Sequence, residues 1–392
     1  MDFKAFNELS IPQQNFVEMD YDKNKLIIGG PGSGKTHVLL HRANYIREEE
    51  KLSDNEFRIF VYTNSLKNYI KPALDLLSID EENVVTIDSW CKNFYVDKIN
   101  HVLPKKGKKP DFNRISEEVS KHIEENAEYN DTYKFSVVDE GQDLSLAKLE
   151  IIYLISKHVT VCADNKQQIY ENRVDTTEIR EQLCIEEFDR PLIETFRCSP
   201  FIVDLASKFI TDLDDRNEYI AQTRTHSDER ETPIIYCAED FDDERNKLFE
   251  MLNTRIIKGD SIGILFPQNA QVYGFAEGLK GMNIEVETTK KHDFNNNSPK
   301  LMSFHSSKGL TFDSVFLVRL NTFRHQTQEE LNRLMFVGIS RATEWAYIST
   351  TDPDTILLLK SIIENPIPNI FVSHFNDTND SNEEDNDGDE FL

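Results

Sequence analysis

Short apolar runs alternate with amphipathic stretches along most of the chain. Runs rich in Val, Ile, Leu and Phe fall at 24–29, 57–62, 83–87, 133–138 and 158–163, each followed by polar turn residues and a stretch of helical period. Strands covered by helices on both faces read as such continuous apolar runs, so the pattern predicts an α/β fold with parallel sheets. Helices are expected to start after Gly34, Asn64, Asp88 and Asp143. A second set begins near residue 190, with strands at 190–193, 233–237, 261–266, 283–287, 300–304 and 313–318. Helices near 199–212, 240–257, 268–280 and 328–341 alternate with them, and a strand at 345–349 and a helix at 353–363 close the set.

The alternation lapses in a few places. Between 100 and 132 a basic loop, Pro104-Lys105-Lys106-Gly107-Lys108-Lys109-Pro110, precedes a helical stretch, and the whole reads as a small insertion in the first domain. The polar stretch 211–231 and Asn295-Asn296-Asn297-Ser298-Pro299 read as loops. Residues 374–392 hold eight acids and no Lys or Arg among Asn, Asp and Ser, the composition of a disordered end. A chain of 392 residues exceeds one ordinary core. The expected division is a first domain over 1–188, a second over 189–366 and an acidic tail over 367–392.

Composition narrows the partners. The net charge is −26, and removing the eight tail acids leaves −18, which argues against a broad basic face for nucleic acid. A narrow groove lined by a few cations and aromatics stays compatible with it. The Lys105–Lys109 cluster fits either phosphate contact or a solvated loop. No apolar run approaches the roughly 20 residues that span a bilayer, so no membrane partner is expected. The N-terminus, Met1-Asp2-Phe3-Lys4, lacks the basic and apolar regions of a signal peptide, and Cys91, Cys162, Cys184, Cys198 and Cys237 have no metal-site or redox spacing. Both point to reduced thiols in a cytoplasmic protein.

Two stretches carry chemistry. Gly29-Gly30-Pro31-Gly32-Ser33-Gly34-Lys35-Thr36 fits G-x-x-x-x-G-K-[ST] and directly follows the apolar run Leu26-Ile27-Ile28. A glycine-rich turn between strand and helix aims backbone N–H groups at phosphate oxygens, with Lys35 on the outer phosphates and the Thr36 hydroxyl on Mg²⁺. About a hundred residues on, Val137-Val138-Asp139-Glu140-Gly141-Gln142-Asp143 is an apolar strand ending in acids. Asp139 is placed to hold the metal through water, and Glu140 to polarise the attacking water. ATP with Mg²⁺ is the expected cofactor pair.

Further stretches extend the picture. Leu9-Ser10-Ile11-Pro12-Gln13-Gln14, Tyr62-Thr63-Asn64, Thr86-Ile87-Asp88-Ser89-Trp90-Cys91, Ala163 to Tyr170, Glu194 to Ser199, Leu301 to Phe312 and Leu334 to Ala342 follow in order. Together with the two sites above, this ordered set resembles the UvrD/Rep-type superfamily 1 DNA helicases, from about residue 6 to 350. The resemblance implies two RecA-like domains with ATP in the cleft between them. It implies that Gln13 reads the adenine edge, Phe196 stacks on the base and Gln167 senses the γ-phosphate. Arg197 and Arg341 would meet the γ-phosphate from the second domain, and Gly309 would also contact the nucleotide. On the nucleic-acid side it implies Tyr62, Thr63, Asn64, Trp90, Tyr170, Arg173, His305 and Lys308. The tract 261–304 passes to the next motif after a short polar loop, so the large second-domain insertion of that family is missing.

Departures bear on selectivity. His37 stands where relatives place an arginine against the adenine, Phe196 replaces a tyrosine, and Thr311 replaces a glutamate at the ribose. Asn172 stands where a tryptophan stacks on DNA, and Asp88 where a histidine lies near the strand. One implied function is an ATP-driven motor on single-stranded DNA moving 3′→5′. The other is a nucleotide-gated ATPase switch that regulates a partner protein or nuclease, as in anti-phage defence.

Overall fold

A computed structural model describes residues 3–30, 32–164, 176–185, 198–222, 231–288 and 292–375. The chain divides into two units, Met1–Thr195 and Phe196–Leu392. Both are α/β with parallel sheets, as the alternating pattern requires.

In the first unit the strands are β1 (Lys25–Ile28), β2 (Phe57–Val61), β3 (Val84–Thr86), β4 (Lys105–Lys106), β5 (Lys109–Pro110), β6 (Phe135–Val138) and β7 (Val159–Ala163). Five of them form a sheet in the order β1-β7-β6-β2-β3, every neighbouring pair parallel. Ile28 pairs with Ala163, and Val138 with Val161, so β1, β6 and β7 end at one edge. Crossover helices Lys35–Glu50, Asn64–Leu76, Ile87–Phe94, Phe112–Glu125 and Leu146–Ile155 join the strands. Local chemistry starts them: Thr63, Thr86 and Asp111 each accept a backbone N–H of the first turn. Ile151, Ile152, Ile155, Val159 and Val161 are buried in the core that this packing forms.

The second unit holds β8 (Ile234–Cys237), β9 (Ile262–Phe266), β10 (Glu287–Thr288), β11 (Lys300–Ser303), β12 (Phe312–Leu317), β13 (Ala342–Thr350) and β14 (Phe371–His374). They form one sheet in the order β10-β11-β9-β12-β13-β8-β14, again parallel throughout.

Four expectations need correction. The stretch 211–231, read as a loop, contains the helix Leu213–Gln222. Asp212 accepts the Asp215 N–H at its start, and Tyr219 is buried edge-on against Phe336 at 5.2 Å, so tertiary packing holds a segment too polar to signal itself. The run 283–287 yields only the two-residue β10: Asn283, at φ 60°, closes the turn after the preceding helix, and pairing with β11 begins only at Glu287. The tail read as disordered from 367 includes β14, whose register pairs Phe371 with Ile234 at the sheet's open edge. The basic loop is a hairpin of β4 and β5. The strand expected at 190–193 and the acidic residues 376–392 lie outside the described residues.

Gly338 shows how tightly the second unit packs. A Cβ there would lie 2.6 Å from Phe304 Cε1 and 2.9 Å from Leu317 Cδ2, both buried. Gly338→Ala is expected to cost about 1–3 kcal/mol by overpacking. Urea unfolding followed by circular dichroism would show an earlier transition.

Candidate functional site

The loop after β1 is built for close approach of a ligand to backbone. Gly32 and Gly34 take the left-handed region, at φ 74° and 81°, where a side chain is strained. A Cβ on Gly34 would also lie 2.7 Å from Gln13 Nε2. The helix Lys35–Glu50 starts there, and its first N–H groups and dipole favour an anion. The buried Lys35 ammonium donates to the carbonyls of Gly29 at 2.7 Å and Gly30 at 3.0 Å and lies 3.6 Å from Asp164 Oδ2. Gly29 N in turn donates to Ala163 O, which ties the loop to the end of β7.

The acids at the end of β6 come to the same place. Thr36 Oγ1 donates to Asp139 Oδ2 at 2.7 Å, across 103 positions of sequence. Burial and then the charge of Glu140 push the Asp139 carboxyl up to about 6, against the pull of the Thr36 hydrogen bond and the Lys35 charge. Thr36 and Asp139 therefore present adjacent oxygen donors, the hard ligands that Mg²⁺ takes alongside water and substrate phosphates. Among the described residues no group of three or more His, Cys, Asp and Glu is placed to hold a metal ion.

Glu140 itself sits in the left-handed region at φ 55°, a strained conformation for a side-chain-bearing residue. Its N–H donates to Asp139 Oδ1 at 3.0 Å. Gln142, buried and unremarked by sequence reasoning, donates through Nε2 to Glu140 Oε2 at 2.5 Å and accepts the Asp164 N–H at 3.0 Å through Oε1. One amide thus holds the carboxylate and the end of β7 together. A glutamine two residues past a carboxylate has no spacing signal of its own, so only the folded backbone reveals it.

Residues expected at the base have local partners. Gln13 Nε2 donates to Ser33 O and its Oε1 accepts the Ser10 N–H, both at 2.9 Å, so the side chain braces the leading segment against the phosphate loop. Buried His37 stacks on Phe3 at 5.2 Å, and Phe3 also stacks on His41 at 4.7 Å. Pro31, Gln167, Phe196 and Arg197 lie outside the described residues.

In the second unit Gly309 has φ 75°, and Arg341 is buried. The Arg341 guanidinium donates to Val337 O at 3.0 Å, Leu310 O at 3.3 Å and Ser340 Oγ at 3.0 Å, all within its own unit. His305 is half-buried; burial, then the neighbouring Lys308 charge, lower its imidazole to about 4, while Lys308 is buried.

The remaining nucleic-acid candidates divide by environment. Tyr62 is half-buried, Thr63 spends its hydroxyl oxygen on the Leu66 N–H at 3.1 Å, and Asn64 is exposed. Trp90 is half-buried, stacked on Phe94 at 5.2 Å, and donates to Tyr133 Oη at 3.1 Å. Asp88 pairs with Lys148 at 2.6 Å. Tyr170, Asn172 and Arg173 lie outside the described residues.

Comparison with known proteins bears on the family of the chain. Residues 9–127 and 105–183 match the UvrD/REP helicase N-terminal domain, and residues 301–349 match the UvrD-like helicase C-terminal domain. A Mycoplasma pneumoniae protein provisionally named a DNA helicase is 23% identical over 56% of this chain and 44% of its own length. A protein of Acanthamoeba polyphaga mimivirus, provisionally named an ATP-dependent DNA helicase, is 21% identical over 83% of this chain and 51% of its own. The chain therefore spans about half the length of these curated relatives.

Gln142→Leu keeps the volume and removes both amide hydrogen bonds. It is expected to cost the first unit about 1–3 kcal/mol, because Glu140 and Asp164 N stay buried after losing this partner. Thermal unfolding of the variant against the parent protein measures it.

Proposed function

The chain belongs to the UvrD/Rep helicase family, and from that premise we propose that it is an ATP-driven motor that moves 3′→5′ along single-stranded DNA. The observation that carries the catalytic half of this reading is the 2.7 Å bond from Thr36 to Asp139, made directly beside a loop whose lysine already lies over it. That arrangement supplies phosphate-binding N–H groups, an ammonium, two metal-ligand oxygens and a neighbouring carboxylate, which is what phosphoryl transfer to water asks of a protein.

The roles follow from the chemistry of each group. Backbone N–H groups of Gly30, Gly32, Ser33 and Gly34 and the Lys35 ammonium hold the outer phosphates. Thr36 and Asp139 would hold Mg²⁺, which would supply positive charge to the phosphate oxygens. Glu140 orients the attacking water and accepts its proton, with Gln142 fixing one carboxylate oxygen so that the other faces the water. Gln167 and Arg197 belong to the same reaction by their motifs. Arg341 meets charge that develops on the transferred phosphoryl group. Its acceptors include the carbonyls of Val337 and Leu310 and the Ser340 hydroxyl, and a guanidinium bonds an anionic oxygen more strongly than such neutral groups. Gln13 and His37 flank the base end, with Phe196 stacked on the base and Gly309 beside the sugar.

For the track we propose Tyr62, Thr63, Asn64, Trp90, Tyr170, Arg173, His305 and Lys308. Base stacking is worth roughly 1–3 kcal/mol per base, so a chain with Asn172 in place of a stacking tryptophan grips each base less firmly. The Asp88–Lys148 pair occupies a carboxylate that would otherwise repel the strand.

Steady-state ATP hydrolysis with and without single-stranded DNA tests the motor. Turnover is expected to rise many-fold with DNA and to vanish in Lys35→Ala. Activity indifferent to DNA would reject the motor, and full activity in Lys35→Ala would reject the site. Arg341→Ala is expected to lower kcat by about two to three orders of magnitude, with nucleotide affinity changed only a few-fold. A loss confined to affinity would remove Arg341 from the chemistry.

A further inference from the structure

We propose that the β4–β5 hairpin is a separate cationic ridge that grips the phosphate backbone of nucleic acid. This rests on the DNA-motor reading and adds a contact outside the residues assigned to the track.

The hairpin is the strongest local reversal of charge in an acidic molecule. The whole chain has 44 Lys and Arg against 70 Asp and Glu, but residues 92–109 hold six lysines (92, 98, 105, 106, 108 and 109) against one acid, Asp97. Lys105, Lys106, Lys108 and Lys109 are all exposed, and none makes an ion pair or side-chain hydrogen bond among the described residues. Some exposed lysines elsewhere do find a carboxylate, as Lys71 does with Glu81 and Lys121 with Glu125.

The backbone concentrates this charge instead of letting it disperse. Lys106 stands directly opposite Lys109 across the ladder, and like charges in that position repel. A ribbon of two residues per strand contributes little stability to offset the repulsion. Gly107, at φ 67°, opens the two-residue loop in the way tight hairpins require. The base is closed by the Asp111 N–H on Pro104 O at 2.9 Å, and Leu103 and Phe112 pack on the core at either side. The ridge is therefore anchored, and its lysines extend into solvent.

The chemistry of the ridge selects the partner. Between Pro104 and Pro110 there is no aromatic to stack on a base and no amide or guanidinium to read one. Ammonium groups act on phosphates as point charges, so the contact is indifferent to sequence. A polyanion nearing a chain of net charge −26 is repelled over about a Debye length, roughly 8–10 Å, and a local positive ridge reverses that sign where it stands.

The test is fluorescence anisotropy of labelled single-stranded and duplex oligonucleotides over a salt titration. It compares the wild-type chain with a variant carrying Lys105→Gln, Lys106→Gln, Lys108→Gln and Lys109→Gln, each checked for an unchanged melting transition. A control variant carries Lys121→Gln, Lys134→Gln, Lys157→Gln and Lys280→Gln, four exposed lysines elsewhere in the chain. The hairpin variant is expected to show a plot of log binding constant against log salt shallower by about 3 on single strands, four contacts at about 0.7 each. The control should keep the wild-type slope. An unchanged slope in the hairpin variant, or an equal loss in the control, overturns the ridge and leaves the motor standing. Wild-type protein that binds no nucleic acid at any salt overturns the motor reading, and the ridge with it.

Discussion

The parallel register of β1, β7 and β6 is the constraint on which the first unit's chemistry depends. Ile28 lies beside Ala163 and Val161 beside Val138, so three chain segments leave the sheet at a common edge. Parallel strands all run one way, and their carboxyl ends therefore deliver their loops to one side. That single geometric fact brings Lys35 and Thr36 to Asp139, Glu140 and Asp164, although those groups are far apart in sequence. A one-residue slip of β6 against β7 would turn Val137 and Val138 to opposite faces and carry Asp139 away from Thr36.

Within that edge the polar groups are buried, and buried polar groups must be matched. The match is made by short links. Thr36 serves Asp139, and Gln142 serves Glu140 and Asp164 N. Glu140 stays in a strained left-handed backbone while these links hold it. Asp139 pays for its burial with a raised carboxyl pKa, which bound Mg²⁺ would reverse by favouring the ionised form. On the proposed reading, a cation and a polyphosphate would meet groups already held in place.

A second brace lies behind the loop. Arg42, fully buried, donates to the carbonyls of Phe16, Val17, Met19 and Asp20 and to Thr160 Oγ1. One guanidinium satisfies the open carbonyl end of the leading helix and joins it both to the helix of the phosphate loop and to β7. Gln13 makes the corresponding link in front, to Ser33. The leading segment, the loop and the sheet are thereby joined by hydrogen bonds on both sides.

The sequence by itself determined the fold class, most strand positions and the phosphate loop, because these depend on local pattern. Apolar runs of strand length, helix-starting residues such as Thr63 and Thr86, and a spaced set of glycines are written residue by residue. The pairing of Thr36 with Asp139 could be foreseen only through motif chemistry; its 2.7 Å contact required the sheet. Gln142, the Gln13 brace and the Phe3–His37 stack were illegible, since each depends on partners that sequence distance hides. The helix Leu213–Gln222 and strand β14 escaped for the same reason: their own residues are too polar or too few, and it is packing against Phe336 and pairing with β8 that orders them. Local propensity decides what a segment is able to become, and tertiary structure decides which buried groups meet, because desolvation binds together only those that the sheet has already brought within reach.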